Sequence, residues 1–164
     1  MPLFEFQHLL ERQSPDKKQR VRVAPPQALH LIGPTLRVVI SVTKEHEANL
    51  VKVAQPTPEP VPGGALIDTG ASFTCVADHV CQKLGLQPTG MVTLGHAGGK
   101  EDRLCYPIQV SFPGSPLPPL YCPRACSVNL AEGQQGHIML IGRDLLRHFR
   151  MVYNGPRGRI ELDF

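Results

Sequence analysis

Asp68-Thr69-Gly70 is the tightest grouping of residues in this chain that could do chemistry. A carboxylate, a small hydroxyl and a glycine follow directly on Ala65-Leu66-Ile67, and Ala71-Ser72 come next. An apolar run of this kind reads as a buried strand, and Asp-Thr-Gly reads as the turn that ends it. A carboxylate at the tip of a core strand is costly unless it is paired or hydrogen-bonded. Two roles meet that condition: an acid–base catalyst, or an ordinary turn aspartate capping the helix that follows. From this stretch alone both stay open.

A second run near the end repeats the pattern. Ile138-Met139-Leu140-Ile141-Gly142 is an apolar strand ending at glycine, and Arg143-Asp144 opens a short helix to about Phe149. Asp144 falls in the first turn of that helix, where the dipole favours an anion. Between the two runs, Gly95-His96-Ala97-Gly98-Gly99-Lys100 reads as the end of a glycine-rich hairpin. Such a tip can bend and approach another backbone or a ligand closely.

Other constellations are weaker. Cys122 and Cys126, with Cys75, His79 and Cys81, do not match the spacings of common zinc sites, which favours buried or idle thiols. The glycine-rich tip imitates a phosphate-binding loop. It has Leu94 where the first glycine belongs and Glu101 where Ser or Thr must hold magnesium, and a strand follows instead of a helix. No cysteine has the setting a Cys–His protease needs.

The elements that must position these groups are mostly short strands. β-Branched residues predict a strand over 35–43. Residues 44–62 read as a long connection, its second half too rich in proline to pair within a sheet. Strands follow over 65–67, 73–76, 91–94, 105–112, 126–130, 138–141, 151–153 and 159–164, with a proline-rich surface loop over 113–123. Val76, Val80 and Leu84 recur every four residues and predict a helix over 77–84, stopped by Gly85 with Leu86 and Pro88 behind it. Residues 1–30 read as an extension: Phe4, Phe6, Leu9 and Leu10 as a short helical stripe halted at Ser14-Pro15-Asp16, then a basic run of Lys17, Lys18, Arg20 and Arg22. It would serve as a tail, a dimerisation arm or a pro-segment, and a solvated tail is the commoner use of such a run.

Composition bounds the rest. At 164 residues the chain fits one domain, 31–164, plus that extension. With no tryptophan, the core must be built from Val, Leu and Ile, and 17 prolines and 15 glycines favour short strands and turns over long helices. A net charge of +3 is too small to argue for nucleic acid. Five cysteines, an odd number with no secretory segment ahead of them, predict a reducing compartment, and no run approaches the roughly 18 apolar residues of a membrane span. A cytoplasmic protein without a membrane anchor is expected.

Taken in order, the strand over 36–42, Leu66-Ile67-Asp68-Thr69-Gly70-Ala71, the hairpin tip, and Leu140-Ile141-Gly142-Arg143-Asp144-Leu145-Leu146 resemble the retroviral-type (retropepsin-like) aspartic proteases, over about 34–164. The helix after the first turn looks most like bacterial or retroelement-derived members. The resemblance implies a mostly β, retropepsin-like acid protease fold, a single-lobe closed β barrel with short helices. It also implies an endopeptidase that needs neither metal nor other cofactor and whose partners are itself and a peptide or protein substrate.

That chemistry needs two carboxylates sharing one proton, and the chain has one Asp-Thr-Gly. A twofold copy must supply the second, which implies a C2 homodimer with the site on its axis. Like charges about 3 Å apart cannot both ionise, so the pair titrates as a unit. By the same resemblance Asp68 is the shared acid and base. The Thr69 hydroxyl bonds across the axis, and Gly70 lets its backbone approach the carboxylate. Ala71, where pepsin-like enzymes carry serine, implies a mildly acidic optimum. Ala71 and Ser72 line the substrate, Gly95 to Gly99 form the flap with His96 and Ala97 at its tip, and Met139, Leu140 and Ile141 line pockets. Gly142, Arg143 and Asp144 are structural. The chain departs from the family in two places. Ser72 stands where an acidic residue is usual, leaving the partner of Arg143 open, and 44–62 is an insertion. A dimer of this fold kept only for binding is the alternative.

Overall fold

The computed structural model describes residues 3–7, 10–13, 20–96, 98–130 and 136–163. The Ser14-Pro15-Asp16 stop, Lys17, Lys18, Ala97 and the turn at Gln134-Gln135 lie outside them.

The first described element is a strand, β1 (Leu3–Gln7), and two more pair antiparallel in a small two-stranded sheet, β2 (Leu10–Gln13) and β3 (Arg20–Val23). Helix α1 (Pro25–Ile32) has proline in its first turn, where the missing N–H has no helical partner to lose, and buries Ala28 and Leu29. The helical stripe expected from Phe4 and Phe6 is corrected here. Both stand at a period of two in β1, in register with Leu162 and Ile160. The two-residue period and the pairing with the far end of the chain outweigh the helical spacing.

Seven strands make the main sheet. They are β4 (Thr35–Ser41), β5 (Val61–Ile67), β6 (Cys75–Ala77), β7 (Gly90–His96), β8 (Gly99–Ser111), β9 (Leu120–Val128) and β10 (His137–Ile141), in the order β4-β5-β10-β6-β9-β8-β7. β4 also pairs with β8, through Val39, Ile40 and Ser41. The hydrogen-bonded path therefore returns to its start after six strands, and β7 hangs from β8 alone. The chain closes with β11 (Arg150–Asn154) and β12 (Arg159–Asp163), which form a three-stranded sheet with β1. The protein is mostly β.

Alternation along the strands builds the core. Leu36, Val38 and Ile40 of β4, Ala65 and Ile67 of β5, Ile108 and Val110 of β8 and Met139 and Ile141 of β10 are all buried in one cluster. Helix α3 (Asp78–Lys83) closes one side with Val80, and Leu84 just past its end joins the same cluster. Its stop follows from Gly85 at φ +60°. The Gly85 amide donates to Gln82 O and the Leu86 amide to Cys81 O, each at 3.0 Å, the paired bonds of a left-handed cap.

Three expectations need correction. The connection over 44–62 holds a helix, α2 (Lys44–Lys52), capped by Thr43, whose hydroxyl accepts from the His46 amide at 3.1 Å. It buries none of its residues and so carries no apolar stripe to read. β5 starts at Val61 and takes in Pro62, in register with Val39. β10 joins β5 only from Gly64 onward, so at Pro62 the strand is an edge and loses no ladder bond on its free side. β9 likewise starts at Leu120 rather than Cys126. Register with β8 shifts between Tyr106 and Ile108, and that irregularity accommodates both Pro107 and Pro123.

Candidate active site

Two parallel strands bring the two apolar-to-glycine patterns side by side. β5 and β10 pair with Ala65 opposite Met139, Leu66 opposite Leu140 and Ile67 opposite Ile141. The Asp68 amide continues the ladder by donating to Ile141 O at 3.0 Å. Beyond that bond each strand turns away, the first through Asp68-Thr69-Gly70, the second through Gly142 into helix α4 (Arg143–Leu146).

The first turn folds its own amides onto the carboxylate. Asp68 Oδ1 accepts from the Gly70 amide at 2.9 Å and the Ala71 amide at 3.2 Å. A Cβ on Gly70 would stand 3.1 Å from that same oxygen, a tight contact that glycine avoids. Among the described residues no group donates to Oδ2. The carboxylate is thus oriented by one oxygen and keeps the acceptor capacity of the other.

The second turn locks onto the first. The Arg143 amide donates to Ala71 O at 2.9 Å, and its guanidinium spans the loop. Nη1 reaches Thr69 O at 2.8 Å and Gly70 O at 2.9 Å, and Nη2 reaches the Ser72 hydroxyl at 2.8 Å. The partner left open by sequence is therefore two carbonyls and Ser72. A planar fork of donors suits that spread of acceptors. Thr74, fully buried, ties the two sides from below. Its hydroxyl donates to Asp144 Oδ1 at 2.7 Å and accepts from the Gly142 amide at 3.1 Å, and its amide donates to Asp144 Oδ2 at 3.0 Å. Gly142 packs so closely that a Cβ would fall 2.4 Å from the Phe73 carbonyl carbon. Only glycine fits there.

The turn opens into a cleft of about 640 Å³. Asp68, Gly70, Ala71 and Ser72 line one wall. Thr93, Leu94 and Gly95 of β7, with Glu101 and Arg103 of β8, line the part contributed by the hairpin, and Phe73, Cys75, Val128 and Leu140 complete it. The hairpin runs in unbroken register from Gly90 opposite Cys105 to His96 opposite Gly99. Its tip includes Gly98 in a turn and Gly99 at φ +126°, both exposed. Ala97 lies outside the described residues, and of His96 only the strand position is described.

The expected pocket trio is corrected. Leu140 lines the cleft, whereas Met139 and Ile141 are buried in the core. Neighbouring residues of one strand face opposite ways, so the three cannot all line one cleft. Thr69 is exposed and rims a separate hollow of about 350 Å³ with Leu146 and Met151. Several cleft residues escaped the sequence reading. Arg103 pairs with Glu101 at 2.6 Å, and the Thr93 hydroxyl donates to Asp102 Oδ1 at 2.6 Å. Glu101 and Arg103 stand two apart on one strand face, a signal that was present once the hairpin was assigned. Thr74 gave none, because a buried threonine reads like any β-branched strand residue.

No known family's sequence profile matches the chain, and no curated protein matches it. Among solved structures it is similar to a retropepsin-like aspartic protease from Rickettsia conorii, at 15% identity and a TM-score of 0.42, over 79% of this chain and 91% of that one.

Proposed function

We propose that this protein is an aspartic endopeptidase that acts as a C2 homodimer, with one Asp68 from each copy. One observation carries the reading. A carboxylate on a strand-ending turn has one oxygen fixed by two amides, and it lines a cleft to which a glycine-tipped hairpin also contributes. We read the closed path of six strands as the single-lobe barrel of a retropepsin-like fold, with β7 and β8 as its flap.

The steps follow from general acid–base chemistry. Two Asp68 carboxyls close together hold one proton between them, because like charges cannot both ionise there. The ionised member takes a proton from water as that water attacks the scissile carbonyl. The protonated member donates to the carbonyl oxygen. Collapse of the tetrahedral species sends a proton to the leaving amine and restores the shared proton. The amides of Gly70 and Ala71 keep the carboxylate oriented throughout, so little reorganisation accompanies the reaction. A peptide entering the cleft would lie extended, with Leu140, Phe73 and Val128 offering apolar contact and the Arg103–Glu101 pair a polar one.

The exposed Thr69 and the neighbouring hollow with Leu146 and Met151 give a second copy a surface to meet. Peptide-library cleavage between about pH 4 and 7, above the ordinary aspartate range, tests the reading when run beside Asp68→Asn and a pepstatin-type inhibitor. Cleavage that both abolish, by a protein that sizes as a dimer, is the expected result. Equal cleavage by wild type and variant, or none by either, refutes it.

A further inference from the structure

Three of the five cysteines meet behind the cleft. Cys126 on β9 is the register partner of Cys75 on β6 and, on its other side, of Cys105 on β8. The sulfurs of Cys105 and Cys126 lie 3.6 Å apart. The trio forms its own apolar cluster with Phe73, Val92, Leu94, Val128 and Leu140 packed on it. Cys126 and Cys105 are sealed, at 0% and 1% exposure, while Cys75 keeps 7% and lines the cleft.

We propose that Cys75 is a thiol-modification site for small peroxides entering through the cleft, with Cys126 as the thiol that resolves it into a disulfide. β6 and β9 run parallel, and neighbouring strands lie about 4.7–4.9 Å apart, within the Cα span a disulfide tolerates. Cys75 is also set apart electrostatically. The neighbouring Cys126 thiol outweighs the cost of burial and lowers the Cys75 thiol from its ordinary value. The same neighbour and burial push Cys126 up. Burial lifts Cys81 and Cys122 each to about 12 and Cys105 to about 11. The thiolate is the nucleophile, so the member of the trio that reaches the cleft is also the more reactive one.

The steps balance with hydrogen peroxide as oxidant. The Cys75 sulfur attacks one peroxide oxygen, the O–O bond breaks, and the departing hydroxide takes a proton to leave as water. The Cys126 sulfur then attacks the Cys75 sulfur. The S–O bond breaks, and a second water leaves with the Cys126 proton. The protein loses two hydrogens and gains one S–S bond, which Cys105 can then take over by attacking Cys126 and releasing Cys75.

This chemistry does not depend on whether the cleft hydrolyses peptides, and its test reads no activity. The reduced full-length protein is treated with hydrogen peroxide and mapped by non-reducing peptide mass spectrometry, with and without a sulfenic-acid trap such as dimedone. The expected result is a dimedone adduct at Cys75 and, without the trap, a species two hydrogens lighter linked through Cys126. Limiting iodoacetamide should label Cys75 at least about tenfold faster than the other four and block the link. In Cys75→Ser the link should not form at the wild-type rate. First labelling at Cys81 or Cys122, or a Cys126 link that survives alkylation of Cys75, overturns the proposal. Both of these readouts use the wild-type protein and hold even where the variant folds poorly.

Discussion

The turns after β5 and β10 begin as near copies, each an apolar strand delivered into a glycine-containing bend beside the other, and they end with opposite uses of an aspartate. Asp144 is held at both oxygens: Oδ1 accepts from the Thr74 hydroxyl and the Leu145 amide, and Oδ2 from the Thr74 amide. Asp68 is held by one oxygen, on amides of its own turn. A carboxylate bonded at both oxygens is a structural part, since removing it strands its donors. A carboxylate anchored at one oxygen is oriented without being consumed, which acid–base chemistry requires. Twin turns thus divide the work, one fastening the site and the other exposing it.

Breaking each aspartate should separate the two uses. Asp68→Asn keeps an acceptor for the Gly70 and Ala71 amides and should unfold at nearly the wild-type urea midpoint, while peptide cleavage falls at least about 10³-fold. Asp144→Ala does the reverse. It leaves the buried Thr74 amide and hydroxyl proton without an acceptor and should lower stability by roughly 3 kcal/mol in urea titration. Gly142→Ala belongs with it, because the methyl must displace Phe73 backbone, and a loss of about 1–3 kcal/mol or more is expected. If Asp144→Ala is as stable as wild type, the division between the turns is wrong.

The sequence carried much of this and missed the rest for identifiable reasons. Strands with a buried face, such as β4 and β10, announce themselves, and so does α3, whose Val76-Val80-Leu84 spacing and Gly85 stop are both local. α2 is invisible to that logic because it buries nothing, and its only mark is Thr43 ahead of Glu45 and Glu47. Phe4 and Phe6 were misleading because their partners, Leu162 and Ile160, lie at the other end of the chain. At the site, Asp68-Thr69-Gly70 could be read directly. The reach of Arg143 to Thr69, Gly70 and Ser72 could not, since it is set by the pairing of β5 with β10 across more than 70 residues.

Arg143 gives the sharper, smaller test. Lysine keeps the charge but offers a point of donors where the loop presents two carbonyls and a hydroxyl in a fan. Arg143→Lys should therefore change stability by no more than about 1 kcal/mol, because the residue is exposed. Its cleavage rate should fall between about tenfold and 100-fold as the Asp68 turn loosens. The ratio of those two effects distinguishes a clamp on the turn from a generic surface contact, which would move neither. Ser72→Ala removes only the Nη2 partner and leaves both carbonyl bonds in place. It should stay within about 0.5 kcal/mol of wild type and lose less than about tenfold in kcat/KM. A larger loss from Ser72→Ala than from Arg143→Lys would mean that the serine acts on substrate directly. Its place on the cleft wall would then matter more than its bond to Arg143.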